Sequence, residues 1–376
     1  MITMSKGAGR LNGVRIMGAT VLLAIVACDG SDSEPSSPSV APPVDAAPHD
    51  AGVRGGSVLE PGEGHALLPD SGADSGAADA KTPSSPLRVV VLSDLNDAYG
   101  STTYETSVHE AVSAIVGTEK PDVVLISGDM VAGQKAGLDY PAMWGGFHSA
   151  VTSKLAAAGI PVAPAPGNHD ASAYDAFKVE REEYERQWKP SRVPAVAMVD
   201  GTHFPFRYSF AVKDAFFVAI DATTIAPLSD EQRGWIEAQL DGASAYPMRI
   251  VYGHVPLHPT TKGRETEVLD DDELEAVLKK KGALFVGGHH HGYYPGVSGG
   301  VRHVVTPCIG SGPRALIGTS EPSARGFVVI DVDGGKVSSI EARTGAGYAS
   351  NIARASLPAS LSSGTHLLTR DDLAGF

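Results

Sequence analysis

The sequence predicts a layered α/β fold for the middle of this chain. Short runs of Val, Ile, Leu and Phe alternate there with segments of helical character, and the connections between them are short. Such alternation is typical of sheets covered by helices. Five of the apolar runs are followed at once by clusters of Asp, Asn and His, which places polar side chains at the ends of five predicted strands.

Composition limits the classes of function that fit this chain. Its 376 residues are 42% hydrophobic and 20% charged, with a formal net charge of −14. These values are typical of globular proteins, and the chain is long enough for one large domain with extensions. A nucleic-acid surface needs basic patches to meet phosphates, so we expect no nucleic-acid partner. Cys28 and Cys308 stand in different contexts and predict neither a disulfide framework nor a cysteine zinc site.

The N-terminal segment 1–28 has the character of a secretion signal. Three basic residues precede an apolar segment, residues 16–27, that is too short to span a bilayer. The segment ends in Ile-Val-Ala-Cys28, which resembles the bacterial lipobox, a pattern cut before a cysteine that then carries lipid. We therefore expect secretion across a bacterial inner membrane and a lipid anchor on Cys28 in the periplasm or cell envelope. An ordinary signal peptide with an incidental cysteine is the alternative.

The remainder of the chain divides into three parts by composition. Residues 29–86 are dominated by Ser, Pro, Ala, Gly and Asp. They can bury too little apolar surface to offset the entropy of ordering, so we expect a disordered tether. Residues 87–343 contain the predicted strands and helices and form the expected folded domain. Residues 344–376 are rich in Ala, Ser and Gly, and we expect a low-complexity tail without chemistry.

Most of the expected strands are continuous apolar runs, as in strands buried on both faces. They cover residues 87–92, 122–127, 160–165, 248–252, 283–286, 302–306, 326–332 and 336–342, with a hairpin over 206–211 and 215–220. Helices are expected at 103–117, 142–158, 230–240 and 270–281. The last of these has acids early and lysines late, in accord with the helix dipole.

The five polar clusters follow one another along the chain. They are Asp94-Leu95-Asn96, Gly128-Asp129, Gly167-Asn168-His169-Asp170, Gly253-His254 and Gly288-His289-His290-His291. Side chains on loops at strand ends can be aimed at one spot, so these clusters predict a single site.

In this order the clusters resemble the motifs of the calcineurin-like metallophosphoesterases, over residues 87–343. The family pattern runs Asp-x-His, Gly-Asp, Gly-Asn-His-Asp/Glu, Gly-His and Gly-His-x-His. Any one of these motifs is weak evidence, whereas all five in order are strong evidence. The resemblance implies a four-layer αββα sandwich, in which helices flank two mixed β-sheets, with a dinuclear metal site at the strand ends.

The resemblance also implies a ligand set, carried over position by position. One ion would be held by Asp94, Asp129 and His291, and the other by Asp129, Asn168, His254 and His289. Carboxylate, imidazole and amide ligands without thiolates independently suit Mn, Fe or Zn at two adjacent sites. Two such ions about 3.5 to 4 Å apart can clamp the phosphoryl oxygens of a small phosphoester substrate in line.

Two further positions bear on catalysis. His169 matches the family's catalytic imidazole, and its implied role is to protonate the leaving alkoxide, with Asp170 orienting the ring. Asn96 departs from the family pattern, which most often has histidine at this position. An amide oxygen can ligate a hard ion but donates less charge than imidazole, so we expect the first site to be weaker or metal-selective.

The favoured function is hydrolysis of phosphomonoesters or phosphodiesters by a metal-dependent phosphoesterase. Asn96 motivates an alternative from another class, a metal- or ligand-binding surface lipoprotein on a degenerate fold of the same family. The intact His169 favours catalysis, because a binding protein has no need of it. A nuclease is a third alternative, which the acidic balance disfavours.

Overall fold

The computed structural model describes residues 85–96, 98–310 and 312–375. The predicted signal peptide, residues 1–28, and residues 29–84 of the predicted tether lie outside these ranges. Within the described ranges, none of the helices has both the length and the apolar character needed to cross a bilayer.

Two mixed β-sheets form the centre of the folded part. In chain order the strands are β1 (Leu87–Leu92), β2 (Val123–Ser127), β3 (Val162–Ala165), β4 (Ala197–His203), β5 (Arg207–Val212), β6 (Ala215–Ala219), β7 (Met248–Tyr252), β8 (Leu284–Gly287), β9 (Tyr294–Ser298), β10 (Val301–Val305), β11 (Phe327–Asp333), β12 (Lys336–Thr344), β13 (Ser350–Asn351), β14 (Ser360–Ser363) and β15 (His366–Arg370). One sheet has the order β13-β12-β11-β1-β2-β3, and the other has the order β14-β15-β9-β10-β8-β7-β6-β5-β4. The parallel strands, β1 to β3 in one sheet and β6, β7, β8 and β10 in the other, lie together, and antiparallel strands flank them.

Helices and short helical turns connect the strands. The α-helices are α1 (Thr106–Ala114), α2 (Tyr140–Phe147), α3 (Ser153–Ala157), α4 (Asn168–Ala171), α5 (Lys178–Trp188), α6 (Asp230–Gly242) and α7 (Asp272–Lys281). π-helical turns at Ile115–Glu119 and His148–Thr152 follow α1 and α2, and 3-10 turns lie at Asp175–Phe177, Ala346–Tyr348, Arg354–Ser356 and Asp371–Leu373. The sequence encodes the start of α6, where the Ser229 side chain accepts a hydrogen bond from the backbone N–H of Gln232.

The central strands of the second sheet, β6, β7 and β8, are buried on both faces, which explains their continuous apolar sequences. In β6, Phe217 belongs to the core that includes residues of the first sheet. Its neighbour Phe216 packs instead in a second core with Ile236 of α6 and Leu278 of α7. Successive side chains of a strand point to opposite faces, so β6 contributes to two layers. The predicted α/β sandwich of two mixed sheets with flanking helices is confirmed.

The C-terminal segment differs from expectation. The sequence predicts a low-complexity tail over residues 344–376, but β13 pairs with β12, and β14 and β15 form a hairpin that joins β9 and buries Leu361 and Leu368. The sequence pattern misses these strands because β14 and β15 bury only part of one face and both residues of β13 are exposed, so no continuous apolar run forms. The same reason applies to β4, whose residues are mostly exposed.

Candidate metal centre

The loops that follow the central strands carry the candidate ligands to one edge of the sheets. Asp94 follows β1, Asp129 follows β2, Asn168 follows β3, His254 follows β7, and His289 and His291 follow β8. Parallel pairing brings the carboxyl ends of β1, β2 and β3 together in one sheet and those of β7 and β8 together in the other, and ligands bind at such strand ends in open α/β sheets. Donor atoms of Asp94, Asp129 and His254 all lie within 4.8 Å of one another.

Several of these side chains stand on strained backbone. Asp94, Asp129, His289 and His291 have φ angles of 51°, 53°, 64° and 55°, in the left-handed region that residues other than glycine seldom adopt. Main-chain hydrogen bonds hold two of these turns together, since the N–H of Asp94 donates to Gly128 O at 3.2 Å. Strain of this kind persists where the surroundings overdetermine it, and it is concentrated at functional sites.

His254 is fully buried, and both of its ring nitrogens have fixed surroundings. Nδ1 lies 2.8 Å from the carbonyl oxygen of Ser127, which can only accept, so Nδ1 carries a proton. Nε2 faces two oxygens, Asn168 Oδ1 at 2.9 Å and Asp129 Oδ2 at 3.2 Å. Burial would lower the pKa of His254, but the Asp129 carboxylate outweighs it and raises the pKa to about 9. The pocket therefore requires positive charge at Nε2, which either a proton or a cation can supply.

His291 repeats this arrangement beside Asp94. Its Nδ1 lies 2.9 Å from Gly312 O, and its Nε2 lies 3.1 Å from Asp94 Oδ1. Burial would raise the pKa of Asp94, but the neighbouring His291 holds that pKa below its usual range. Histidines that ligate metals donate their second N–H to a carbonyl or carboxylate. Both His254 and His291 are oriented in this way, with Nε2 directed at a carboxylate.

Asn96 has a buried amide oxygen with no hydrogen-bond partner among the described residues. Its backbone N–H donates to Asp129 O at 3.2 Å, so the residue lies next to the cluster. Leaving such an oxygen unpaired costs about 1–3 kcal/mol. Asp94 Oδ1 lies 3.1 Å from His291 Nε2. A buried amide oxygen without a donor among the described residues, next to carboxylates and imidazoles oriented as ligands, fits a divalent cation.

His289 departs from the ligand set expected from the sequence. Its Nε2 lies 3.1 Å from Glu267 Oε2 and 3.0 Å from Arg264 Nη1. The ring centroid is 5.1 Å from that of His254, so the side chain borders the cluster. Its nitrogens nevertheless contact the Arg264–Glu267 ion pair instead of Asp129. Burial and the Arg264 guanidinium both lower the pKa of His289 well below its usual value.

His169 lies at the start of α4, beside the cluster and half-exposed. Its backbone N–H donates to Asp129 Oδ1 at 2.9 Å. Its ring Nδ1 is 3.3 Å from Gly133 O, and the ring centroid is 5.6 Å from that of Tyr99. The His169 ring is therefore next to the candidate ligands and is held by a main-chain carbonyl.

Asp170 does not orient the His169 ring, in contrast to the expectation from the sequence. Its carboxylate accepts hydrogen bonds from the backbone N–H groups of Met130, Val131 and Gly167, at 2.7, 2.8 and 3.1 Å. These N–H groups belong to the loops after β2 and β3, so the Asp170 carboxylate is bonded to the main chain of both loops. Asp170 thus joins the two loops that carry Asp129 and Asn168.

The side chains of Gln134, Arg264 and Glu267, which the sequence analysis did not single out, contact the candidate ligands. Gln134 Oε1 accepts a hydrogen bond from Asn168 Nδ2 at 3.0 Å, which directs the amide oxygen of Asn168 to His254. Arg264 and Glu267 contact His289. All three lie in loops at no fixed spacing from a ligand, and only the fold brings them to the site.

Comparison with known families and structures agrees with this geometry. Residues 87–293 match the family model described as calcineurin-like phosphoesterase. No curated protein matches the chain. Among solved structures, the chain is similar to the purple acid phosphatase PPD1 of yellow lupin (Lupinus luteus), with a TM-score of 0.53 and 20% identity. That similarity covers 69% of this chain and 52% of the lupin chain, so this chain spans about half the length of that relative.

Two further solved structures are similar in fold. A dimetal phosphatase from Danio rerio has a TM-score of 0.49 and 14% identity, over 72% of this chain and 98% of that one. GAP50, the anchor in the inner membrane complex of Plasmodium, has a TM-score of 0.49 and 16% identity, over 70% and 85% of the two chains. Because the family model spans more than half of the residues, and its motif loops converge as described above, this chain belongs to the calcineurin-like phosphoesterase family.

Proposed function

We propose that this chain hydrolyses phosphomonoesters or phosphodiesters by means of two divalent ions of Mn, Fe or Zn and a general-acid histidine. The observation that carries this proposal is the orientation of His254, whose Nε2 faces oxygens of Asp129 and Asn168 while Nδ1 is held by Ser127 O. His291 and Asp94 support it with the same geometry.

The ligand set follows from these contacts. Asp94, Asn96, Asp129 and His291 would hold one ion, and Asp129, Asn168 and His254 would hold the other. His289 borders the second set and would join it if its ring turned away from Arg264 and Glu267. Bound ions would polarise the phosphoryl oxygens and supply a nucleophile from water.

The chain's own residues supply orientation and a proton. Gln134 directs the Asn168 oxygen into the site, and the Ser127 and Gly312 carbonyls fix the tautomers of His254 and His291. His169 Nδ1–H donates to the Gly133 carbonyl, which leaves Nε2 as the atom that delivers a proton to the leaving alkoxide. The half-exposed position of this ring suits a group that meets substrate.

Replacement His169→Ala tests the general-acid assignment. We expect near-normal metal content and a rate lowered by roughly 10²- to 10⁴-fold for alkyl esters. The loss should shrink for nitrophenyl esters, because their leaving groups need little protonation. His203 provides a matched control, since His203→Ala removes an exposed imidazole on β4, the edge strand of the second sheet.

Equal losses for nitrophenyl and alkyl esters would reject the general-acid role while leaving the metal centre in place. A wild-type protein that binds metal but hydrolyses neither ester would support the binding lipoprotein instead.

We also propose that the domain is anchored in the bacterial cell envelope by lipid on Cys28. The motivation is the Ile-Val-Ala-Cys28 pattern after an apolar segment of signal-peptide length. Mass spectrometry of the mature chain should find acylated Cys28 at the N-terminus, and Cys28→Ser should release the protein or stall its processing. A mature chain that begins elsewhere and carries no lipid would rule out this anchor.

A further inference from the structure

A second group of histidine and carboxylate side chains lies between α7 and the second sheet. It consists of His258 in the loop after β7, Glu275 on α7 and His303 on β10, and it shares no residue with the phosphoesterase cluster. One donor atom from each of the three lies within 4.8 Å of the others. The two histidines are only 8% and 2% exposed, so three polar groups are gathered in a largely apolar layer. Such burial requires compensating contacts.

The three side chains converge on one point. Glu275 Oε1 lies 2.9 Å from His258 Nε2 and 3.3 Å from His303 Nε2. Ligands on a tetrahedron with bonds of about 2.0–2.1 Å lie roughly 3.3 Å apart, so this spacing suits an ion of the size of zinc.

Two residues behind His258 orient its ring. His258 Nδ1 lies 3.1 Å from His366 Nδ1, and His366 Nε2 lies 3.4 Å from Asp270 Oδ1. With a cation on His258 Nε2, the Nδ1–H of His258 donates to His366, and the Nε2–H of His366 faces Asp270. The second N–H of the metal-binding histidine is then held by a hydrogen-bond acceptor, as is usual for such histidines.

This cluster connects different parts of the chain. His258 and Glu275 lie within residues 87–293, which match the family model, whereas His303 and His366 lie beyond them. His366 is in β15, which pairs with β14 and β9 at the edge of the second sheet. An ion held here would fasten the C-terminal strands to the loop after β7 and to α7.

We propose that His258, Glu275 and His303 bind one zinc-class divalent ion, separate from the catalytic ions, and that this ion fastens the C-terminal strands to the second sheet. Two imidazoles and a carboxylate are a common protein ligand set for Zn²⁺, with water in the fourth position. His366 and Asp270 are positioning residues that orient His258.

Zinc binding by the full chain tests this proposal. The catalytic site is removed first, and the second site is then removed in addition. In the Asp94→Asn/Asp129→Asn protein, which lacks the catalytic carboxylates, one Zn²⁺ per chain should remain after dialysis, as measured by elemental analysis. Co²⁺ in place of Zn²⁺ should give the visible absorption of a four-coordinate site. Adding Glu275→Gln should abolish both signals, whereas adding His203→Gln, which removes an exposed histidine, should change neither. Adding His366→Gln should weaken zinc binding by about 10- to 100-fold without removing it.

Amide hydrogen exchange tests the fastening role in the same Asp94→Asn/Asp129→Asn protein. Chelation should accelerate exchange in β14 and β15, and added Zn²⁺ should reverse the change. The proposal is overturned if this protein retains no zinc, if Glu275→Gln leaves the zinc content unchanged, or if exchange in these strands is insensitive to zinc. The first and third outcomes do not depend on the folding of a Glu275 variant. Because the catalytic carboxylates are absent throughout, none of these outcomes bears on the phosphoesterase function.

Discussion

At the scale of single residues, the buried amide of Asn96 is the point at which this centre departs from its family. Among the residues that the structure describes, its Oδ1 has no hydrogen-bond partner, and its backbone N–H donates to Asp129 O. An amide donor in place of imidazole should leave the first ion more weakly bound than the second. We expect stepwise metal loading, with activity appearing only when the weaker site fills.

Substitutions at Asn96 measure this effect. Asn96→Ala should raise the metal concentration needed for half-maximal activity. An increase of about 10- to 100-fold would match the loss of affinity seen when a group that hydrogen-bonds to a metal ligand is replaced. Asn96→His should lower it and shift the preference toward ions that favour nitrogen, such as Zn. Titration calorimetry that finds two equal sites in the wild-type chain would contradict unequal binding. An unchanged metal dependence in Asn96→Ala would exclude Asn96 as a ligand.

A second prediction at this scale concerns Glu180, on α5, and the dependence of stability on pH. Burial raises the pKa of its carboxyl from 4.5 to about 7, although hydrogen bonds from Tyr140 and from the backbone of Gln134 oppose the shift. The folded chain therefore holds this proton more tightly than the unfolded chain. Its contribution to stability is complete below about pH 4.5, and it is lost as the pH rises through about 7.

Denaturant unfolding at several pH values measures this contribution. Between pH 5 and 8, the free energy of unfolding should fall more in the wild type than in Glu180→Gln. Glu182→Gln, on the exposed side of the same helix, should follow the wild type. Parallel pH curves for the wild type and Glu180→Gln would show that the Glu180 carboxyl does not titrate in this range.

At the scale of elements, the loop after β3 packs closely against the loop after β2. A Cβ at Gly167 would lie 2.1 Å from the backbone N of Asp129 and 2.2 Å from its Oδ1. Gly167→Ala should push Asp129 out of place, lower metal content and activity together, and destabilise the fold by about 1–3 kcal/mol. Elemental analysis, kinetics and thermal melting measure the three effects.

Gly234, inside α6, is the matched control for Gly167. A Cβ there meets no atom within 4 Å, so Gly234→Ala should stabilise the helix by about 0.5–1 kcal/mol and leave activity unchanged. A fully active, metal-replete Gly167→Ala protein would contradict the close approach of the two loops.

The elements also show what can be predicted from this sequence. Strands such as β1, β2 and β7 are buried on both faces, so they appear as continuous apolar runs, and the polar motifs after them identify the edge of the sheets where the site lies. β4 and β14 cover exposed or one-sided positions, and their composition resembles that of loops. The contact of His289 with Arg264 and Glu267 depends on a loop path that no local pattern encodes.

At the scale of the whole molecule, the C-terminal strands belong to the fold. Leu361 and Leu368 are buried, and β15 pairs with β9. Removal of residues 353–376 should cost about 3–6 kcal/mol from these two side chains alone, since burying a leucine contributes about 1.5–3 kcal/mol. Denaturant unfolding measures the loss, with a chain that ends at Leu373 as the control. A truncated protein of wild-type stability would show that the segment is a dispensable tail.

The central claim is that phosphoester hydrolysis depends on divalent ions held by the strand-end cluster. The most direct measurement is the rate at which the full chain hydrolyses nitrophenyl phosphate and bis-nitrophenyl phosphate. The rate is measured after chelation and again after re-addition of Mn, Fe or Zn, in the wild type and in Asp129→Asn. Asp129 is the residue to replace because its carboxylate would contact both ions. The wild type should lose activity on chelation and regain it with at least one metal, and Asp129→Asn should regain none. Undiminished hydrolysis by the metal-free wild type, or full recovery in Asp129→Asn, would contradict the claim.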